Sequence, residues 1–384
     1  MRQVAVLGIG QTKVDEHWDR SLRDLASDAI LSALQDAGRL SCDGLFIGNM
    51  LSGMVDNQNN LGALIADWSG LRQAEAVKVE AACASGSAAF RSGLMAVSSG
   101  EMDAALVVGV EKMTDAHPHD VTAALATAAD ADYEGEQGVS FVSLNALIMQ
   151  RYMYEYGWKH GDFAPFSVNA HANAMFNPYA RLHTRITSES FEKADMIASP
   201  INLLDASPIG DGAAAILLVP AESLTNTTRI AVVASASATD TIAIHDRADA
   251  LFLNAAYLSA RSAYKQAGIE PKDINFFELH DAFSIMSALS LEACGFAERG
   301  QGPRLGLNGS ITTKGRLPIS TRGGLKARGH PVGATGMYQL VELVQQLRGD
   351  CAETQVENAT IGMAQNIGGS GATILTHIIK RLDP

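Results

Sequence analysis

Strand-like and helix-like patterns alternate along the chain, and the same series occurs twice. In the first half, an apolar strand at residues 4–8 is followed by a helical pattern at 22–37. In the second half, a strand at 230–234 is followed by a helical pattern at 251–267. A glycine closes each helix, and an aspartate five residues later precedes the next short strand: Gly38 and Asp43, then Gly268 and Asp273.

Each unit then continues with a third helix and a further strand. The helices are predicted at 84–99 and 332–347, and the strands after them at 104–108 and 359–363. Two similar βαβαβαββ halves of this kind predict a layered α/β/α/β/α fold, in which sheets and helices cover each other's apolar faces.

Between the halves, at about residues 114–202, the regular pattern breaks down. The segment is rich in His, Asp, Tyr and Met, and we expect short helices in long loops. An insertion of this size is usually functional. The predicted organisation is a first half at 1–113 and 203–228, an inserted loop domain at 114–202, and a second half at 229–384.

Composition indicates a soluble enzyme. Hydrophobic residues make up 47% of the 384 residues and charged residues 18%, which is enough for a large core. No uncharged apolar run of about 18 residues is present, so no membrane span is predicted. The chain enters a strand directly, without the pattern of a signal peptide. The formal net charge of −13 argues against nucleic acid as a partner, and an anionic ligand would need a local basic patch.

The cysteines are too few for a disulfide framework and lack the paired spacing of a metal site, which predicts a reducing, cytoplasmic location: Cys42, Cys83, Cys294 and Cys351. Cys83 stands out because it lies between an apolar run at 76–82 and a helix of small residues that begins at Ala84. A helix N-terminus lowers the pKa of a thiol and activates it. A small buried hydrophobe is the alternative interpretation.

Two histidines occupy the same kind of strand-to-helix corner as Cys83. His280 follows the apolar run at 274–277, and His330 lies on a glycine-rich loop before a helix, with Pro331 at the first helical position. A single histidine is more often a structural polar group than a catalytic one. Because open α/β sheets place their sites at such corners, the three residues together predict a catalytic cysteine assisted by two histidines.

Four segments occur in the order found in thiolases, and the chain resembles this family over essentially its whole length. They are VEAACASG at 79–86, HDAF at 280–283, GHPVGATG at 329–336 and NIGGSG at 366–371. Other thiolases have Asn-Glu-Ala-Phe where this chain has HDAF at 280–283, which we call the histidine box. In that respect the chain is most similar to the archaeal-type and sterol-carrier-type branch.

The resemblance implies an acyl-CoA thiolase, either an acetyl-CoA acetyltransferase or a 3-oxoacyl-CoA thiolase, that works through an acyl-enzyme on Cys83. His330 would take the thiol proton, and backbone N–H groups of Cys83 and of Ile367 or Gly368 would stabilise the oxyanion. His280, with a bound water, would stabilise the enolate of the second substrate. Coenzyme A would be substrate and product, and no further cofactor and no metal is implied.

The resemblance also implies that the insertion covers the active site and holds coenzyme A. The basic residues that would contact its phosphates are Arg181, Arg185, Lys193, Lys326 and Arg328. Solvated surface charges are the alternative for each of them. Several histidines of the insertion have no spacing typical of a metal site and are expected at the surface: His117, His119, His171 and His183.

One departure from the family concerns the acid/base residue. Most thiolases have a second cysteine three residues before the double glycine of the last segment, where this chain has Gln365. Sterol-carrier-type thiolases have one at the third position of the histidine box, where this chain has Ala282. Neither Cys294 nor Cys351 lies in any of the four segments. The role is therefore expected to pass to one of the two histidines or to water.

Two other functions stay open on the sequence. One is a thiolase-like lyase that cleaves a coenzyme A thioester side chain by a retro-aldol reaction. The other is a scaffold subunit without chemistry of its own. For partners, the resemblance implies a homodimer or homotetramer, and a complex with another condensing enzyme and a small zinc-ribbon/OB-fold protein.

Overall fold

The structure is a computed structural model that describes residues 2–224 and 229–382. Its strands, in chain order, are β1 (Val4–Gln11), β2 (Gly44–Gly48), β3 (Glu75–Val79), β4 (Ala105–Glu111), β5 (Met196–Ala198), β6 (Ile201–Asn202), β7 (Gly212–Pro220), β8 (Arg229–Thr239), β9 (Phe276–Glu278), β10 (Ile361–Gly368) and β11 (Thr373–Leu382). Within the described residues, nine of them form one mixed sheet in the order β3-β2-β4-β7-β1-β8-β11-β10-β9.

The helices follow the predicted alternation with the strands. In chain order they are α1 (Leu22–Asp36), α2 (Ser52–Val55), α3 (Leu61–Trp68), α4 (Ser85–Ser99), α5 (Pro118–Ala126), α6 (Phe141–Tyr156), α7 (Ala164–Ala174), α8 (Ser188–Glu192), α9 (Asn254–Ala267), α10 (Ser284–Ala293), α11 (Gly302–Leu307) and α12 (Thr335–Arg348). Helices α5 to α8 belong to the segment inserted between β4 and β7.

The side chains of β7 alternate between two cores, as the period of a strand requires. Ala213, Ala215 and Leu217 pack with α1 and α3, whereas Ala214 and Ile216 pack with α4 and α12. Helix α12 also contacts β10 and β11, and α9 and α10 cover the far side of those strands. The order helix, sheet, helix, sheet, helix confirms the predicted layers.

The predicted internal repeat is also confirmed, although β3 of the first half has only a single bridge as its counterpart in the second half. The halves of the sheet have mirrored orders, β3-β2-β4-β7-β1 and β8-β11-β10-β9. In the second half, a single bridge between Phe277 and Ile319 stands where the first half has β3. The halves join where β1 and β8 pair over a short stretch, from Val4 opposite Val232 to Val6 opposite Ile230.

The inserted segment holds more helix than the sequence predicts. Besides short helices, it contains α6 with 16 residues and α7 with 11 residues. The side chain of Ser140 caps α6 by accepting a hydrogen bond from the N–H of Ser143, and Gly157 ends the helix with a φ of 75°. Helices α6 and α7 pack on α10 and so cover part of the second half of the fold.

The predicted domain boundaries fall between these elements. Those at 113–114 and 202–203 come just after β4 and β6, while the boundary at 228 and residues 1, 383 and 384 lie outside the described residues. The division into three domains stays a prediction. Across residues 2–224 and 229–382, none of the helices combines the length and the apolar character of a transmembrane span.

A buried ion pair connects the central helix α12 to the loop that precedes it. Nε of Arg328 lies 2.8 Å from Oε1 of Glu342, and both side chains are almost wholly excluded from solvent. The guanidinium also lies over the ring of Tyr338, 4.8 Å from its centroid. The pair therefore fixes the loop that carries His330 against α12.

Removing one partner of this pair should destabilise the fold strongly. Glu342→Ala leaves the charge of Arg328 buried without compensation, and we expect the free energy of unfolding to fall by about 3–5 kcal/mol in urea denaturation. The double variant Glu342→Leu/Arg328→Met replaces the pair with apolar groups and should lose clearly less. A loss below about 1 kcal/mol in the single variant would show that water reaches the guanidinium.

Candidate active site

Cys83, His280 and His330 lie far apart in the sequence but line one cavity of about 150 Å³. The turn before α4 supplies Cys83, the turn after β9 supplies His280, and the loop before α12 supplies His330. The rest of the wall is mainly apolar, with residues from α5, α6 and α10 among them: Leu125, Phe141, Val142, Phe283, Met286 and Val332. The structure thus brings together the three side chains that the sequence singles out.

The turn that presents Cys83 has a strained backbone. Ala82 has a φ of 51°, in the left-handed region that residues with a Cβ rarely adopt. Ser85 holds the turn, because its hydroxyl donates to the carbonyl of Ala82 at 2.6 Å and accepts from the N–H of Ala81 at 3.0 Å. Helix α4 begins at Ser85, one residue later than predicted, with Ala84 as its N-cap.

The prediction of a lowered pKa for Cys83 is wrong. Burial, and after it the carboxylate of Glu111, raises the pKa of this thiol to about 12. The N–H groups of Cys83 itself and of Gly369 act in the opposite direction but do not outweigh the loss of hydration. Cys83 is therefore a neutral thiol in the free protein and needs a base when it reacts.

Glu111 is a fully buried carboxyl group at the end of β4. It accepts hydrogen bonds from the N–H groups of Met50 and Leu51, the latter at 3.2 Å. A Cβ at Gly333 would lie 2.5 Å from its Oε1, so the loop before α12 also packs against it. Burial raises the pKa of Glu111 to about 8. This carboxyl group therefore links the turn after β2 to the loop of His330.

His330 is held by its backbone and by one ring nitrogen. Its N–H donates to the carbonyl of Pro208 at 2.9 Å, and its Nδ1 lies 2.6 Å from Oγ1 of Thr335, the first residue of α12. Pro331 does not start the helix as predicted, because a 3₁₀ turn at Val332–Ala334 comes first. With Nδ1 engaged, Nε2 is the ring nitrogen left to act in the cavity.

His280 contacts a side chain that the sequence does not single out. Its Nδ1 lies 3.0 Å from Nδ2 of Asn366 on β10, and both residues are buried. Asp281, the next residue of the histidine box, accepts hydrogen bonds from the N–H of Leu325 at 2.7 Å and the hydroxyl of Ser320 at 3.0 Å. The box is thus tied both to β10 and to the segment before α12.

The two imidazole rings meet edge to face, with centroids 5.1 Å apart and planes at 88°. Burial, followed by the charge of Arg328, lowers the pKa of His280 to about 3. Burial, His280 and Arg328 together hold the pKa of His330 well below its usual value. Both rings are therefore neutral at pH 7, so each has one nitrogen that donates and one that accepts.

The backbone donor that approaches the thiol from the last segment is Gly369. Its N–H is directed at Cys83, and the residue has a φ of 61°. Ile367 and Gly368, which the sequence predicts for this role, still belong to β10 and pair with β11. The backbone contact to the thiol from this segment therefore comes from the first residue beyond the strand, and the oxyanion role of the N–H groups of Cys83, Ile367 and Gly368 stays a prediction.

The predicted phosphate contacts of Lys326 and Arg328 are wrong. Arg328 is fully enclosed in its pair with Glu342. Lys326 is 4% exposed, and its Nζ donates to the backbone carbonyl of Ala206 at 2.6 Å. Burial lowers the pKa of Lys326 to about 8. Both cations stabilise loops of the site from inside the protein, where no phosphate group can reach them.

The other basic residues of the predicted set lie on the insertion, outside the cavity wall. Arg181 pairs with Glu16, Lys193 lies 2.6 Å from a carboxylate oxygen of Glu189, and Arg185 is exposed. Their contact with coenzyme A stays a prediction.

Three of the four histidines that were expected at the surface lie there, but one does not. His117, His119 and His183 are exposed. His171 is buried, with its Nδ1 2.7 Å from the carbonyl of Thr184, so its predicted surface position is wrong.

None of the positions considered for a second cysteine offers an acid or base to the cavity. Gln365 does not line the cavity; it is fully buried on the face of β10 opposite to Asn366, and its Nε2 donates to Oγ1 of Thr376 at 3.0 Å. Ala282 lines the cavity without a titratable group. Cys294 and Cys351 are buried outside the cavity wall, and burial raises the pKa of both thiols.

The similarity of this chain to known proteins extends over nearly its whole length. The profiles Thiolase, N-terminal domain, and Thiolase C-terminal domain-like match residues 4–222 and 236–381. A protein named acetyl-CoA acetyltransferase from Methanothermobacter thermautotrophicus is 47% identical, over 99% of this chain and 100% of its own length. Another of that name, from Methanocaldococcus jannaschii, is 40% identical over 99% of both chains. The solved structure of the Ltp2-ChsH2(DUF35) aldolase has a TM-score of 0.85 at 23% identity, covers 98% of this chain and 97% of that one, and shows a likeness of fold alone.

The neutral state of Cys83 predicts a steep pH dependence of its alkylation. Because its pKa lies far above neutral pH, the thiolate fraction should rise about tenfold per pH unit. We expect the rate of modification by iodoacetamide to rise about tenfold per pH unit, which is about 30-fold between pH 6.5 and 8, measured by mass spectrometry of the Cys83 peptide. A rate that stays flat over this range would indicate a thiolate–imidazolium pair instead.

Glu111→Gln is the matched variant for this measurement. In the wild type the rise should become less steep above pH 8, because the ionised Glu111 carboxylate then opposes the thiolate. In the variant the steep rise should continue to pH 9. Identical curves would show that Glu111 does not act on the thiol.

Proposed function

Since this chain belongs to the thiolase family and is an acyltransferase, we propose that it catalyses the reversible condensation of two acetyl-CoA molecules to acetoacetyl-CoA and coenzyme A. The meeting of Cys83, His280 and His330 in one cavity carries this proposal. A cavity of about 150 Å³ holds a molecule the size of benzene. It therefore suits two-carbon acyl groups better than long chains. The acetyl-CoA acetyltransferases that match over the full length support the same substrate.

The first half-reaction forms the acyl-enzyme. Sγ of Cys83 attacks the thioester carbonyl of acetyl-CoA while Nε2 of His330 takes the thiol proton. The N–H groups of Cys83 and Gly369 donate to the oxyanion of the tetrahedral intermediate, and each such donor contributes about 3 kcal/mol to barrier lowering. The intermediate collapses when coenzyme A leaves as a thiol with that proton. Because the resting thiol is neutral, base and nucleophile act together.

The second half-reaction forms the carbon–carbon bond. The thioester oxygen of the second acetyl-CoA lies at His280, which stabilises the enolate formed when the α-carbon gives its proton to Nε2 of His330. The enolate carbon attacks the acetyl group on Cys83, and His330 returns the same proton to the thiolate that leaves. In the reverse direction the same contacts serve thiolytic cleavage of acetoacetyl-CoA.

The two alternative functions find less support. A retro-aldol lyase needs no covalent cysteine, whereas here a strained turn, a neighbouring base and a backbone donor all converge on Cys83. A scaffold subunit would need none of the three side chains to share a cavity.

The proposed partners are a second copy of the chain and other proteins of the same reaction sequence. Within the described residues, strand β3 is one of the two edge strands of the sheet, and Val77 on it is 49% exposed, so a second copy would cover the free edge of β3 in a homodimer or homotetramer. A complex with another condensing enzyme and a small zinc-ribbon/OB-fold protein is proposed from the family resemblance. A cytoplasmic location is proposed because all four cysteines are free.

The acyl-enzyme can be observed directly. Protein mixed with acetyl-CoA should gain one acetyl group on the Cys83 peptide, and Cys83→Ser should lose both the adduct and turnover, because an alcohol is a much weaker nucleophile here. Mass spectrometry locates the group. An adduct on Cys294 or Cys351, or full activity of Cys83→Ser, would refute the assignment.

The effects of removing His330 and of removing His280 should first appear in different half-reactions. His330→Ala should slow acetylation of Cys83 by about 10²–10⁴-fold, because the base is missing. His280→Ala should still become acetylated but lose acetoacetyl-CoA synthesis and cleavage. Rapid-quench mass spectrometry follows the adduct, and circular dichroism checks the fold of both variants. If both variants fail at acetylation alike, the division between the half-reactions is wrong.

A further inference from the structure

The side chain of Asn366 contacts one ring nitrogen of His280 and does not line the cavity. Asn366 is 0% exposed, and its Nδ2 is 3.0 Å from Nδ1 of His280. Within the described residues, no hydrogen bond occupies Nε2 of His280. The ring thus has one nitrogen fixed by Asn366 and one left for the cavity that it lines.

The chemistry of the amide determines which ring nitrogen carries the proton. An amide nitrogen has two protons and no lone pair to offer, so it donates. Nδ1 of His280 must then accept, and the single proton of the neutral ring sits on Nε2. Burial and the charge of Arg328 prevent a second proton from being added.

The surroundings keep the amide of Asn366 in place. A Cβ at Gly336, on the first turn of α12, would lie 2.3 Å from its Oδ1 and 2.4 Å from Oγ of Ser87. Only a glycine at 336 lets α12 come this close to β10 and α4. The amide is therefore packed between α12, α4 and the His280 ring.

We propose that Asn366 is a positioning residue that holds His280 in the Nε2–H tautomer. In this state His280 donates a hydrogen bond to the thioester or enolate oxygen of the second substrate and is unable to accept a proton. This inference rests on the proposed function and goes further, since it leaves His330 as the base of both half-reactions. Nδ1–H of His330 then donates to Thr335, and its Nε2 accepts.

The tautomer can be measured on the wild-type protein. Long-range ¹H–¹⁵N correlation spectra of protein labelled with ¹⁵N-histidine distinguish a protonated ring nitrogen from an unprotonated one. The signal of His280 is assigned from its loss in His280→Gln. We expect Nε2 of His280 to carry the proton from pH 6 to 8. A proton on Nδ1, or a titration in this range, would overturn the proposal.

Asn366→Asp tests the consequence for the reaction. A carboxylate of the same shape accepts from Nδ1–H, which moves the ring proton to Nδ1 and leaves a lone pair on Nε2 facing the substrate oxygen. The kcat for acetoacetyl-CoA cleavage should fall at least about 100-fold, the effect of losing one oxyanion donor. Acetylation of Cys83 by acetyl-CoA should stay within about threefold of the wild type, because removal of a donor from the second half-reaction leaves the first one intact.

Asn366→Ala separates this role from a merely structural one. With no partner at Nδ1, His280 keeps access to the Nε2–H tautomer, so kcat should fall less than in Asn366→Asp. If Asn366 only fills space, the alanine variant should be the more damaged of the two. Asn308→Asp, at an exposed position on the loop after α11, makes the same change in charge and should leave kcat unchanged. Absence of acetylation in the wild type would refute the proposed function itself, whereas acetylation together with a proton on Nδ1 of His280 would refute only this inference.

Discussion

Two imidazole rings in contact inside an apolar cavity are both uncharged in the free protein, and the rest of the site follows from this constraint. A proton added to His280 or His330 would be deprived of water and would face the other ring at 5.1 Å. Arg328 strengthens the constraint with a fixed positive charge near both rings, and Glu342 balances that charge from α12. The chemistry therefore relies on neutral donors and acceptors in set orientations. The same burial that keeps the histidines neutral keeps the thiol protonated.

The same contact between a turn and a strand occurs in both halves of the fold but has a different role in each. The turn after β2 contacts a side chain of the parallel strand β4, and the turn after β9 contacts a side chain of the parallel strand β10. In the first half, that side chain is Glu111, and its partners are backbone N–H groups at Met50 and Leu51. In the second half, it is Asn366, and its partner is the ring of His280. The first arrangement supports the loops around the nucleophile, whereas the second orients a group that meets substrate.

The order of strands and helices could be predicted from the sequence because hydrophobic periodicity and closing glycines mark each element locally. The positions of Cys83, His280 and His330 followed from the same pattern. The predictions that were wrong concern properties set by contacts between segments that are separate in the sequence. Desolvation in a cavity to which the insertion contributes part of the wall raises the pKa of Cys83, and Arg328 looks like a surface charge until Glu342 is placed beside it. Asn366 could have been found only by knowing which face of β10 turns toward the histidine box.

The length of the insertion has a consequence for how this protein is made. Strands β4 and β7 are hydrogen-bonded neighbours, with Ala105 opposite Leu218 and Glu111 opposite Gly212, yet the ribosome produces all of residues 112–211 between them. At about 5–20 residues per second, β4 waits for several seconds with one edge unpaired. Helix α4 waits longer, because the other helix of the central layer is α12, near the end of the chain. A nascent chain of this protein therefore exposes apolar surface until α12 has been made, and during that time it is more prone to aggregation than a chain with local strand pairing.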